Sequence, residues 1–73
     1  MGYSAKVSLS LVVDGLELQL SHVGPKDVII RSECHPIPPT DAKLIIKVDD
    51  STIVDDVFLP FGIKGARDRV VYI

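Results

Sequence analysis

Tryptophan is absent from this 73-residue sequence, cysteine and methionine occur once each, and aromatic residues make up only 5%. The lone Cys34 can neither close an internal disulfide nor begin a cysteine zinc set. Long apolar runs are missing as well: aliphatic stretches stop at three residues, as in Leu11-Val12-Val13 and Leu44-Ile45-Ile46, against the roughly 20 that a membrane-spanning helix needs. Met1 to Lys6 contain neither an apolar h-region nor a small-residue cleavage site. These absences lead us to expect a protein of the reducing cytoplasm with no membrane partner. Charge of one sign is lacking too. The 8 basic and 10 acidic residues, net -2, are spread along the chain and form no basic stripe for a phosphate backbone, so nucleic acid is not expected as a partner.

What remains is aliphatic. Hydrophobic residues reach 47%, mostly Val, Ile and Leu, enough for one core and one domain over residues 1–73. A chain this short buries only about 60% of its unfolded surface, and its core supplies roughly 3–5 kcal/mol. Support from outside the chain is therefore expected.

Periodicity points to strands. Val7, Leu9, Leu11 and Val13 alternate with Ser8, Ser10 and Val12, the period of a half-buried strand. Asp14-Gly15 suits a type I′ turn, after which Leu16, Leu18 and Leu20 resume the alternation, so a hairpin is predicted. Gly24-Pro25 breaks the chain ahead of a third strand over Asp27 to Glu33, whose Val28-Ile29-Ile30 run suggests burial on both faces. Prolines 36, 38 and 39 exclude the following segment from a sheet interior. A fourth strand is predicted over Ala42 to Val48, with Leu44, Ile46 and Val48 on one face and Lys43, Ile45 and Lys47 on the other. Asp49-Asp50-Ser51 then turns the chain. Thr52 to Leu59 read as a fifth strand of unclear phase, which a bulge near Asp55-Asp56 would reconcile. Pro60 to Ala66 read as loop, and Arg67 to Ile73 as a sixth strand. Six short strands at such spacing imply an all-β antiparallel barrel or sandwich.

The segment Gln19-Leu20-Ser21-His22-Val23-Gly24, with the strand at Val28-Ile29-Ile30, the Pro38-Pro39 turn and the strand from Lys43 to Val48, resembles the middle of a PilZ domain. Ser21 and Gly24 match the family's motif, whereas Gln19 stands where an acidic residue or Asn is usual. The resemblance implies a six-stranded barrel. That family grips cyclic di-GMP through an Arg-x-x-x-Arg motif ahead of the barrel, and here no arginine precedes Arg31. The resemblance thus implies a barrel without that ligand, of a kind that serves in protein contacts.

Few residues suggest chemistry. Cys34-His35 combines a thiol and an imidazole, but neighbours on an extended chain point to opposite sides and seldom form a nucleophile and base. Asp49, Asp50, Asp55 and Asp56 gather carboxylates, yet the turn lacks the glycine and closing glutamate of a calcium loop. Gly62-Ile63-Lys64-Gly65 has the spacing of a nucleic-acid clamp that requires flanking helices, and reads better as a turn. Pro36-Ile37-Pro38-Pro39 suits an aromatic-lined groove only with a flanking basic residue, so a structural crossing is the better reading. No catalytic, cofactor or metal residue is assigned.

The expectation is thus a non-enzymatic protein-interaction module, self-associating or docking on a larger protein. Its predicted interface is Val70, Val71, Tyr72 and Ile73, apolar on both faces of the last strand and shielded, if at all, by the strand Val7 to Val13. A PilZ-like ligand-binding domain is the alternative.

Overall fold

The computed structural model describes residues 6–65 and 67–73. Met1 to Ala5, and Ala66 at the end of the predicted loop, lie outside them. The described residues form six strands: β1 (Val7–Val13), β2 (Leu16–Val23), β3 (Asp27–Ile30), β4 (Thr40–Val48), β5 (Ser51–Leu59) and β6 (Arg69–Val71). All neighbours are antiparallel, in one curled sheet of order β5-β4-β1-β2-β3-β6. The all-β expectation holds, and between barrel and sandwich the molecule is a half-barrel. Among the described residues no helix is long and apolar enough to cross a membrane.

Local chemistry sets the first hairpin. Asp14 (φ 52°) and Gly15 (φ 78°) both take positive φ, as a type I′ turn requires, and Val13 then faces Leu16. The sheet curls around the side chains that β1 and β2 turn inward: Leu11, Val13, Leu18 and Leu20 join Val28, Ile30, Leu44, Val57, Leu59 and Val70 in the core. Ile37 and Ile63, from the two long loops, exchange backbone hydrogen bonds at 2.8 Å and close one end of this core. The two outer strands meet where Phe58 and Ile73 also exchange both backbone hydrogen bonds, at 2.8 and 2.9 Å. Elsewhere, among the described residues, no backbone hydrogen bond crosses the seam.

Several boundaries differ from the sequence reading. β2 runs past Leu20 to Val23 because a register shift between Leu20 and His22 inserts one residue; Leu20 then faces Ile30 and Val23 faces Val28 on the inner side, while His22 stays exposed. Strict alternation would have put His22 inside, which hid the end of the strand. β3 is shorter than predicted. Its ladder ends at Ile30, because the Arg31 and Ser32 N–H groups both donate to the Gln19 carbonyl, at 2.8 and 3.3 Å. Val28 and Ile30 are buried but Ile29 is only half-buried, so the run alternates and is not buried on both faces. The bulge expected near Asp55-Asp56 does not exist, since β4 and β5 pair without a break from Thr40↔Leu59 to Val48↔Ser51. Nor does β1 shield the last strand: it lies between β2 and β4, while β6 pairs with β3 on one side and forms the second edge of the sheet. Arg67 and Asp68 precede β6, whose strand begins at Arg69.

The missing bulge has a simple physical explanation. β4 and β5 extend beyond the core as an arm, together with the start of β1, and every β5 residue from Ser51 to Asp56 is exposed. Asp55 can therefore share the inner face with Ile53 and Val57 at no desolvation cost, because water, not core, lies beneath it.

Candidate interaction site

Phase parity along β5 locates the open surface. Antiparallel strands aim both backbone groups of alternate residues to the same side. Phe58 turns its N–H and C=O away from β4, toward Ile73, so Asp56, Val54 and Thr52 turn theirs the same way. Among the described residues nothing bonds to them. The open stretch is bounded at one end by the Asp49-Asp50 turn and at the other by the Phe58–Ile73 pair.

Both faces beside this edge carry exposed apolar side chains. On the inner face the arm shows Val7, Val48 and Ile53, the last 52% exposed, with Leu9 and Ile46 half-buried next to them. The outer face shows Val54, also 52% exposed, and Phe58. Beside Val54 on that face, Lys43 donates to Asp56 Oδ1 at 2.6 Å; both side chains are well solvated, so the pair contributes under about 1 kcal/mol. A shallow depression of about 420 Å³ lies there, lined by Val12, Asp41, Lys43 and Asp56.

The predicted interface residues, on and just after the edge strand β6, differ in exposure. Val70 is 1% exposed in the core, and Val71 and Tyr72 are half-buried. Tyr72 donates its hydroxyl to the Gly24 carbonyl at 2.6 Å, and Ile73 is exposed but engaged through its backbone with Phe58. Both β5 and β6 are edge strands of the sheet, and among the described residues the longer open stretch is on β5, since β6 spans only Arg69–Val71. A signal for it existed in the sequence, for the apolar residues of Thr52 to Leu59 fall on both faces, as they would in a strand with no core on either side.

The other candidates fall in structural places. Ile37 is buried, which makes the proline segment a crossing. Gly62 (φ 64°) and Gly65 (φ 156°) serve turn conformations. Asp49 (φ 53°) forms the β4–β5 turn, where its N–H donates to the Lys6 carbonyl and its Oδ1 accepts from the Lys6 N–H. No group of three or more metal-ligating side chains assembles among the described residues. Of the segment that resembles a PilZ domain, Ser21 is the inserted residue of the β2 bulge, and the Gly24 N–H donates to the Asp27 carbonyl at 2.7 Å. Gln19 holds the end of β3, its N–H donating to Ser32 Oγ at 2.8 Å.

Cys34 packs half-buried against the core, and burial first, then the nearby Glu33 carboxylate, pushes its thiol above the ordinary value. The thiolate is the reactive form, so native labelling with a disulfide reagent should run slower than in the urea-unfolded chain, with its pH midpoint displaced upward. A native midpoint at or below that of the unfolded chain would contradict this environment. No family model, curated protein or solved structure matches the chain.

Proposed function

We propose that this protein is a non-enzymatic interaction module that accepts an extended strand of another polypeptide along the open edge of β5. One observation carries the reading: Thr52, Val54 and Asp56 present unpaired backbone groups between apolar side chains on both faces. Main-chain hydrogen bonds give such an addition its affinity, and alternate side chains give it specificity. An incoming strand would lay one set of side chains beside Ile53 on the inner face and the other beside Val54 and the Lys43–Asp56 pair on the outer face. Apolar residues suit the first set. Polar or basic residues suit the second.

The test uses a random peptide library selected against the wild-type chain, followed by amide hydrogen exchange. Enriched peptides should carry alternating apolar residues and protect the Thr52, Val54 and Asp56 amides. Val54→Pro, which removes one outward donor without touching the β4 ladder, should weaken them at least ~10-fold. Peptides that bind the variant as tightly as the wild type would rule out strand addition here.

A further inference from the structure

Resting on that reading, we infer that the occupant of the edge is a second copy of this chain, its β5 antiparallel to the first about a two-fold axis through Val54. The open stretch is its own complement. Its outward residues, Thr52, Val54 and Asp56, are symmetric about Val54, so the two-fold sets Val54 against Val54 and Thr52 against Asp56 and pairs every open backbone group, about six hydrogen bonds in all. Other registers do worse. A shift toward the turn, pairing Thr52 with Val54, leaves Asp56 unpaired. A shift the other way needs Phe58, already held by Ile73, and puts Asp55 directly against Asp55.

The distribution of charge permits the central register. Thr52 can donate its hydroxyl to the Asp56 carboxylate across the axis, and Ile53 faces Asp55, so no two carboxylates are directly opposite. Asp56 keeps Lys43 on its own strand pair, and Lys47, the cross-strand neighbour of Thr52, lies one strand beyond the second copy's Asp56. Because the contact is isologous it consumes the β5 edge of both copies and closes at two. Only a few residues per copy take part, which places the interface in the small class below about 1,200 Å² and implies weak, concentration-dependent association.

Sedimentation equilibrium of the full chain from micromolar to millimolar concentration reads this directly. A monomer–dimer equilibrium is expected, and Val54→Pro should be monomeric throughout with an unchanged circular dichroism spectrum. In a Cys34→Ser background, Val54→Cys should form an intermolecular disulfide under mild oxidation, because antiparallel hydrogen-bonded pairs hold their Cα atoms about 5.5 Å apart. A wild type that stays monomeric to 1 mM would overturn the second copy as occupant; should it still bind selected peptides that Val54→Pro loses, strand addition itself would stand. A dimer unaffected by Val54→Pro, or one whose Val54→Cys form does not cross-link, would also overturn it by placing the contact elsewhere.

Discussion

Replacing Gly62 by alanine should destabilise the protein by about 2–5 kcal/mol, comparable with its whole stability of roughly 3–5 kcal/mol. Two costs add. A side chain at φ 64° is strained by about 1–2 kcal/mol. The new Cβ would also drive into the Ile37 carbonyl oxygen, with the Pro38 carbonyl carbon at 2.8 Å, and forcing this backbone apart costs about 1–3 kcal/mol more. The displaced segment is the one that pairs Ile37 with Ile63 and closes the core, so the damage should spread inward. Gly15→Ala is the control. Its φ of 78° is equally left-handed but no atom lies within 4 Å of the added Cβ, so only the conformational cost of about 1–2 kcal/mol applies. Urea unfolding followed by circular dichroism should separate the two variants clearly. Equal midpoints would mean that the loop packing at Gly62 contributes nothing.

The second large effect compares two residues of one strand and one face. Leu59→Ala should cost about 2–5 kcal/mol, since Leu59 is 0% exposed and its removal leaves a cavity in the hydrophobic core. Ile53→Ala should stay within about 0.5 kcal/mol, because its side chain stands on the arm, with water over the same face that holds Leu59 in the core. Thermal unfolding of both variants checks this, at about 4–8 °C per kcal/mol for a domain of this size. A large loss at Ile53 would show that the arm is covered in solution. In that event the loss should grow with protein concentration if the cover is a second copy, because association adds stability by mass action.

The register of β5 shows how far alternation can be read. From Ala42 to Val48 the predicted faces match the structure, because Leu44 really does lie over core and Lys43 over water. From Ser51 to Asp56 the same logic failed: it assumed that one face of every strand is buried, and an arm with water on both sides obeys no phase. The β2 bulge misled in a related way, since one inserted residue moves Val23 to the face that strict period two would give His22. Local turn chemistry was more dependable. Asp14-Gly15 needed nothing beyond its own φ preferences to form the predicted turn.

By itself, then, the sequence determined the all-β class, the first hairpin, the exclusion of the proline segment from the sheet interior and the two faces of β4, because each follows from residues within a few positions of one another. Only the tertiary structure decided which strands would stand at the edges of the sheet. Nothing local to Arg69 to Ile73 says that β3 will pair with β6 on one side and that Phe58 will take up Ile73, and nothing local to Thr52 to Asp56 says that no strand among the described residues will arrive. Edge status depends on the order of all six strands and on the curl that lets the seam touch at one end and part at the other. That closure is set by the packing of Leu11, Ile30, Leu59 and Val70, residues far apart in the chain that become neighbours only when the core forms.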